Sequence, residues 1–170
     1  APHYKFIKHD YDEYHIAETS KTTFKEYQNN PKVKFTIYDG KTLPYENEYF
    51  DRIIISHCLE HITNPEGFLH EMMKKLKKGG ILSISLPTDP GLLFRIGRLY
   101  LRLFSLKKNY RISSKKFDYM NATEHVNSIF GLSAILNYNY GNSLTGYYLP
   151  FRIKSFDLNL FYNAHITKAD

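Results

Sequence analysis

Two histidines lie close together after an apolar run near the middle of the chain. His57 and His61 follow the apolar residues 53–55, with Ser56 directly before His57. Because imidazole titrates near neutral pH, either ring could accept the proton of a substrate hydroxyl. His125, in a polar stretch that precedes an apolar run, is a third candidate. We therefore expect general-base chemistry, with His57 and His61 as the candidate catalytic residues.

Other chemistries are less well supported by the same region. His57 and His61 could share one face of a helix, but no third ligand stands out, so the sequence favours no metal site. Cys58 follows the apolar run and has no obvious base partner, which favours a buried, inert thiol. No Gly-x-Ser-x-Gly sequence occurs, so a serine hydrolase is disfavoured.

An alternation of strands with a helix positions these residues. The apolar run is followed by a helical pattern over about 64–77, and Gly79 and Gly80 lead into a second apolar run over 81–86. A strand, a helix and a strand in this order form a right-handed crossover with two parallel strands, and ligands bind beyond the carboxyl ends of such strands. Asp39, Ser56, His57 and residues 87–89 should therefore share one rim.

Further elements are predicted on both sides of this unit. Upstream we expect a short helix over 3–9, a strand over 14–17, a helix from Thr19 or Ser20 to about 27, and a strand over 33–38. Downstream we expect a helix over 91–106, a less regular segment over 113–121 and a helix over 124–136. A strand over 134–140 overlaps the end of the last helix and is the competing prediction there. We then expect a loop with Gly141, Gly146 and Pro150, followed by a strand over 158–167.

The ordered motifs resemble the second half of a class I S-adenosylmethionine-dependent methyltransferase. The family pattern runs acidic-x-x-x-Leu-Pro-Phe, Phe-Asp, an apolar strand, Leu-Glu-His, a helix that ends Leu-Lys-Pro-Gly-Gly, and a second apolar strand. The matching segments here are DGKTLPY at 39–45, FD at 50–51, LEH at 59–61 and LKKGG at 76–80. Tyr45 and Lys78 depart mildly from the pattern, and neither should disturb the fold.

This resemblance implies a fold and a set of cofactor contacts. The implied fold is α/β, with a mostly parallel, open Rossmann-like sheet, helices on both faces and an antiparallel C-terminal strand. In similar enzymes a residue placed like Glu18 holds the ribose hydroxyls of S-adenosylmethionine, and one placed like Asp39 accepts from the adenine amino group. The implied cofactor-binding residues are Glu18, Thr19, Asp39, Gly40, Lys41, Ser56 and His57. By residue type alone, Glu18 also fits a helix start and Asp39 a turn.

The family's first strand and its glycine-rich turn have no counterpart in this sequence. That turn, typically acidic-x-Gly-x-Gly-x-Gly, normally precedes a helix such as the one expected over 3–9. We therefore expect residues 1–170 to be a single, N-terminally truncated methyltransferase-like domain whose first strand is missing. A degenerate homologue is the alternative, and in either case this chain should bind S-adenosylmethionine poorly.

Composition narrows the class of protein. The chain has 170 residues, of which 42% are hydrophobic and 24% charged, as is typical of one soluble globular domain. A single cysteine excludes an internal disulfide, and neither a signal peptide nor a long apolar run is visible, so we expect a cytoplasmic protein. The net charge of +6 arises partly from lysines at helix ends, which makes a nucleic-acid partner unlikely.

The segment 91–108 suggests a further contact. It is apolar nearly all round, with Arg95, Arg98 and Arg102 forming a narrow basic stripe. The surplus apolar surface indicates a lid, a homodimer contact or a peripheral membrane contact. Since residues 90–151 are rich in apolar and aromatic side chains, we expect a small-molecule, glycosyl or lipid-linked methyl acceptor. The alternative is a non-catalytic methyltransferase-like domain that binds a membrane surface or a partner subunit.

Overall fold

The computed structural model describes residues 10–19, 30–40, 42–104 and 113–169. The chain divides into two compact units, residues 1–45 and residues 46–170. The helices expected over 3–9 and from Thr19 or Ser20 to about 27 lie outside the described residues, apart from Thr19 itself.

The first unit contains two parallel strands where the sequence predicted them. Strand β1 (Tyr14–Glu18) pairs with β2 (Val33–Ile37), and Glu18 lies opposite Ile37. Ile16 at the centre of β1 is buried. The Tyr45 hydroxyl lies 2.6 Å from Thr36 Oγ1 and 3.2 Å from His15 Nδ1, so it links both strands. Because the strands are parallel, their carboxyl ends lie at the same edge.

The second unit is built on a mixed sheet of four strands in the order β3-β4-β6-β5. These strands are β3 (Phe50–Ser56), β4 (Leu76–Pro87), β5 (Leu144–Leu149) and β6 (Phe161–Thr167). β3 and β4 are parallel, whereas β6 is antiparallel to both β4 and β5. Alternate residues of β4 and β6, such as Leu82, Ile84 and Ile166, are fully or almost fully buried and form the core.

Helix α1 (Pro65–Lys75) connects the two parallel strands. Asn64 caps it by accepting a hydrogen bond from the backbone N–H of Gly67 at 3.0 Å, and Pro65 suits its first turn. Phe68, Leu69 and Met72 form its buried face. Met72 lies three positions after Leu69 and four after Phe68, so all three residues share one side of the helix.

The double glycine lies inside β4 and not ahead of it. The expected strand was to begin after Gly80, but β4 starts at Leu76, immediately after α1. The register against β3 shifts between Phe50 and Arg52, so extra residues of β4 bulge out there. Gly79 has a φ of 70°, and a Cβ on Gly80 would lie 2.8 Å from the carbonyl oxygen of Lys77. Glycine is thus required by the bulge.

Three predictions for the C-terminal third were wrong. The segment expected to be irregular forms helix α3 (Ser114–Glu124), capped by Ser113. The next helix, α4 (Ile129–Tyr140), begins five positions later than expected, at the Ser128 cap, and replaces the strand expected over 134–140. Its buried residues Ile129, Leu132 and Leu136 have helical spacing, which overrode the local strand pattern.

The expected loop around Gly146 is partly strand β5. Glycine is normally unfavourable in a strand, but here the ring of Tyr162 on β6 occupies the space that a Cβ at residue 146 would need. The final strand was expected from 158 and begins at Phe161.

Helix α2 (Leu92–Tyr100) begins where the sequence predicted a long helix and continues as a wider π-helical turn over 101–104. None of its residues is buried. The remainder of the expected helix, to 106, lies outside the described residues.

Candidate functional site

The carboxyl edge of the first unit carries Glu18, Thr19, Asp39 and Gly40. Glu18 ends β1, and its carbonyl oxygen accepts a hydrogen bond from the backbone N–H of Tyr38 at 3.1 Å. Asp39 follows shortly after β2, and its Oδ1 accepts from the backbone N–H of Thr42 at 3.1 Å. The strand pairing therefore brings both carboxylate-bearing residues to the ends of neighbouring strands. Lys41 lies outside the described residues.

Gly40 has a backbone that a larger residue would adopt only with strain. Its φ is 81°, in the left-handed region, and an added Cβ would lie 3.3 Å from Thr19 Cγ2. The chain turns sharply after Asp39 and passes close to the end of β1. Carboxylates accept hydrogen bonds from hydroxyl and amino groups, so the donor chemistry of an adenosine fits this edge.

Ser56 and His57 occupy the corresponding edge of the second unit. Ser56 is the last residue of β3, and the backbone N–H of His57 donates to the Ser85 carbonyl at 3.0 Å. His57 has a φ of 49°, which is uncommon for a residue with a side chain. Its ring meets that of Phe161 edge-on, with centroids 5.5 Å apart. This backbone turn directs the chain out of the sheet.

Both predicted bases face one buried carboxylate, that of Glu60. Glu60 lies in a single helical turn, Leu59–His61, and is only 3% exposed. Its Oε1 is 3.7 Å from His57 Nδ1 and 3.7 Å from His61 Nε2. Burial by itself would raise the pKa of Glu60, but the facing His57, the backbone and the charge of His61 together outweigh it and lower the pKa. Glu60 is therefore ionised at neutral pH.

His125 belongs to the same polar cluster. Its Nδ1 lies 2.9 Å from Oδ2 of Asp89, and Arg98 donates to that same carboxylate oxygen. The rings of His125 and His61 meet edge-on with centroids 5.0 Å apart. His61 Nδ1 lies 2.7 Å from the carbonyl oxygen of Glu124. The sequence had indicated His125 as a third candidate but had assigned no role to Glu60 or Arg98.

Backbone contacts hold this cluster together across a long stretch of chain. The N–H groups of Val126 and Asn127 donate to the Glu60 carbonyl at 3.0 and 3.1 Å. The Asn127 side-chain amide donates to the carbonyl oxygens of Leu59 and Ile62. The segment after α3 is thereby fastened to the helical turn that carries Glu60 and His61. The Leu-Glu-His motif was the sequence signal for one half of the cluster; in the other half the sequence had indicated His125 alone.

A cavity of about 350 Å³ lies between α2 and α3. The guanidinium groups of Arg95, Arg98 and Arg102 line it together with Phe117 and Asp118. Arg102 forms an ion pair with Asp118 at 3.1 Å. Three guanidinium groups against the two carboxylates of Asp118 and Asp89, which pair with Arg102 and Arg98, leave a net positive charge that would favour an anionic group.

Comparison with known proteins shows which family this chain resembles in sequence and in fold. A family model described as "Methyltransferase domain" matches residues 3–84. A SAM-dependent methyltransferase from Archaeoglobus fulgidus has a similar structure, with a TM-score of 0.60 and 14% identity over 91% of this chain and 75% of that one. The chain is similar to the class I S-adenosylmethionine-dependent methyltransferases, in sequence over residues 3–84 and in fold. The expected α/β Rossmann-like fold with an antiparallel C-terminal strand is confirmed, and S-adenosylmethionine is the cofactor of this family.

Other similarities agree on the fold and on methyl transfer. A SAM-dependent methyltransferase from Thermotoga maritima has a TM-score of 0.55 and 20% identity, over 89% of this chain and 72% of that one. Among curated proteins, the demethylmenaquinone methyltransferase of Clavibacter sepedonicus is 32% identical over 94 residues, which is 53% of this chain and 38% of that protein.

Two shorter matches extend this picture. The ubiquinone/menaquinone biosynthesis C-methyltransferase UbiE of Coxiella burnetii is 39% identical over 59 residues, 33% of this chain and 24% of that protein. The ajmaline N-methyltransferase of Rauvolfia serpentina is 34% identical over 53 residues, 31% of this chain and 18% of that protein. The chain therefore spans well under half the length of the curated relatives that it matches.

Within the described residues, no helix combines the length and the apolar character needed to cross a bilayer.

Proposed function

We propose that the protein transfers a methyl group from S-adenosylmethionine to a small-molecule acceptor. The observation that carries this proposal is the parallel pairing of β1 and β2, which sets Glu18 and Asp39 at the ends of neighbouring strands in a chain that resembles this family. Two acceptor side chains at the ends of neighbouring strands suit a ligand that carries hydroxyl and amino donors.

Seven residues are proposed to hold the cofactor: Glu18, Thr19, Asp39, Gly40, Lys41, Ser56 and His57. Glu18 would accept hydrogen bonds from the two ribose hydroxyls, and Asp39 would accept one from the adenine amino group. The left-handed backbone of Gly40 lets the chain pass close to the ring. The bound cofactor supplies an electrophilic methyl group on its sulfonium, so the protein's main contribution is to position the acceptor and exclude water.

A proton acceptor is needed only when the acceptor atom is a hydroxyl oxygen. His57 and His61 are the proposed bases, and a ring nitrogen of each lies 3.7 Å from the Glu60 carboxylate. The Nδ1 of His57 faces Glu60, which leaves its Nε2 for a substrate proton. With a hydroxyl acceptor, His57→Gln should lower kcat by about 100-fold or more. His70→Gln, on the exposed side of α1, is the matched control, and an equal effect in both variants would remove His57 from the mechanism.

The proposed acceptor is a glycosyl or lipid-linked molecule. Support comes from the arginine-lined cavity, which would suit a phosphate or another anionic group of such a molecule. The relatives agree on methyl transfer but differ in the acceptor, since their names include quinone C-methyltransferases and an alkaloid N-methyltransferase. The acceptor class therefore depends on this chain's own residues.

Calorimetric titration of S-adenosylhomocysteine into the full-length protein tests the proposed function. Asp39→Ala removes one charged hydrogen-bond acceptor and should weaken binding by about 10-fold or more. Asp12→Ala is the matched control, because Asp12 is exposed and precedes β1, away from the carboxyl edge. Absence of binding in the full-length protein, or equal affinity in Asp39→Ala, would contradict the proposal.

A second candidate function is that of an interaction domain, favoured by the exposed face of α2. Leu92, Ile96 and Leu99 are all about half exposed, and Leu92 and Ile96 line an apolar groove of about 250 Å³ together with Phe151, Ile153 and Leu158. A membrane surface or a second copy of the chain would cover this face. Sedimentation with anionic vesicles tests the first of these, and loss of binding on Ile96→Glu would support it.

A further inference from the structure

Three potential metal ligands converge in the second unit. One ligand atom each from Glu60, His61 and His125 lie within 4.8 Å of one another. Glu60 and His61 belong to the helical turn Leu59–His61, and His125 follows α3. The backbone hydrogen bonds from Val126 and Asn127 to Glu60 hold these two segments at a fixed separation. The backbone therefore fixes the positions of the segments that carry the three side chains.

The hydrogen bonds at the two imidazoles leave one nitrogen of each ring free to coordinate. His61 Nδ1 lies 2.7 Å from the Glu124 carbonyl, which can only accept, so Nδ1 carries the proton and Nε2 carries the lone pair. His125 Nδ1 lies 2.9 Å from the Asp89 carboxylate, which favours the same tautomer because a carboxylate accepts; Arg98 Nη2 lies farther from this nitrogen, at 3.4 Å. Metal-binding histidines are commonly held in this way by a carbonyl or a carboxylate.

Nearby charge does not oppose a cation at this place. The closest guanidinium, that of Arg98, donates to the same Asp89 oxygen that His125 contacts. Asp89 therefore offsets the positive charge of Arg98. Imidazoles coordinate a metal as neutral ligands, so the Glu60 carboxylate would supply the negative charge that favours a divalent cation.

Glu60 provides the independent observation that points to a ligand. Its side chain is 3% exposed, and its Oε2 makes no hydrogen bond within the described part of the chain. Its Oε1 lies 3.7 Å from His61 Nε2, which is beyond hydrogen-bond distance. A buried carboxylate oxygen without a partner costs free energy, so native proteins rarely leave one unsatisfied. The sequence had favoured no metal site, because Glu60 was read only as part of a motif and His125 is distant along the chain.

We propose that Glu60, His61 and His125 bind a divalent transition-metal ion, for which Zn²⁺ is the best fit. Two imidazoles and one carboxylate form a donor set of catalytic zinc, and they leave a fourth position for water or a substrate oxygen. Mg²⁺ and Ca²⁺ fit less well, since they prefer oxygen ligands. Zinc bonds of about 2.0–2.2 Å require the three ligand atoms to approach one another to roughly 3.4 Å, a modest closure of the cluster.

Metal binding would also divide the roles of the two candidate bases. His61 would use Nε2 as a ligand, which leaves His57 as the base. The fourth position would hold the acceptor's hydroxyl, whose pKa a bound metal lowers. This division of roles rests on the proposed methyl transfer, whereas the metal site itself does not.

Titration of Zn²⁺ alone into the chelator-treated full-length protein tests the site by calorimetry. We expect one equivalent to bind, and we expect His61→Gln and His125→Gln each to weaken that binding by more than about 100-fold, since even outer partners of a metal site contribute 10- to 100-fold. Asp89→Asn should weaken it by about 10- to 100-fold. His70→Gln is the matched control and should bind as the wild type does. This titration contains no S-adenosylmethionine, so a failure to bind Zn²⁺ would contradict the metal site without contradicting the proposed methyl transfer.

X-ray absorption at the zinc edge, measured on the Zn²⁺-loaded wild-type protein, identifies the ligand atoms directly. It therefore tests the site even if a variant does not fold. We expect two imidazole nitrogens and carboxylate oxygen in the coordination shell. Absence of saturable binding, a shell without imidazole, or folded His61→Gln and His125→Gln variants that bind like the wild type would each overturn the proposal. Glu60 would then serve only to fasten the segment after α3.

Discussion

Glu60 belongs to a motif that the sequence shows clearly, yet the sequence did not predict its role. Leu59, Glu60 and His61 formed part of the motif by which the family was recognised, yet the sequence did not indicate that Glu60 is buried. Its position 3.7 Å from both His57 and His61 follows from the helical turn after β3. Candidate bases were predictable from residue type, because few side chains titrate near neutral pH. Their shared carboxylate was not.

His165 makes a residue-scale prediction about pH. Burial, and secondarily the charge of Arg52, lower its pKa from the ordinary value of 6.5. Arg52 Nε donates to Ser83 Oγ, and that hydroxyl lies 3.0 Å from His165 Nδ1, so the neutral ring accepts from it. As the pH falls below about 6.5, the unfolded chain binds a proton at this ring before the folded chain does. The free energy of unfolding should therefore decrease on acidification.

His165→Gln isolates this contribution. Urea unfolding at about pH 7.5 and about pH 5 should show a smaller loss of stability in the variant than in the wild type. The exposed His70→Gln should lose as much stability as the wild type. An unchanged loss in His165→Gln would show that this ring does not contribute.

At the scale of elements, local pattern predicted strands β1 to β4 and helix α1; further along the chain it predicted α2 and β6 but missed α3, β5 and the start of α4. Strands β1 to β4 either alternate apolar with polar residues or contain a continuous apolar run, so the sequence predicted each of them directly. Strand β5 could not, since Gly146 is a poor strand residue until Tyr162 is known to lie against it. Helix α4 was read partly as a strand because apolar residues such as Leu132 and Leu136 fit either pattern, and only their burial decides.

Gly146 and Gly97 provide a matched pair of glycine substitutions. Gly146→Ala would drive a methyl group into the Tyr162 ring, which is 4% exposed and packed against Tyr148 and Phe156. We expect a loss of about 1–3 kcal/mol in the free energy of unfolding. Gly97→Ala lies in α2 with open space around it and should stabilise by up to about 1 kcal/mol. Equal effects in urea denaturation would show that β5 does not pack on β6 in this way.

At the scale of the whole molecule, the chain combines a proposed cofactor edge with a polar cluster and an exposed apolar helix face. The order of motifs predicted the family, because an ordered series is far more specific than any one motif. The cofactor contacts remain predictions, since they follow from the family and not from a bound ligand. The sequence could not predict the methyl acceptor, because residues 90–151 carry no motif that encodes a substrate.

The most direct measurement is a crystal structure of the full-length protein with S-adenosylhomocysteine. We expect the adenosine at the carboxyl ends of β1 and β2, with both ribose hydroxyls on the Glu18 carboxylate and the adenine amino group on Asp39. An adenosine bound elsewhere, or a structure in which neither carboxylate contacts it, would contradict the proposed cofactor site.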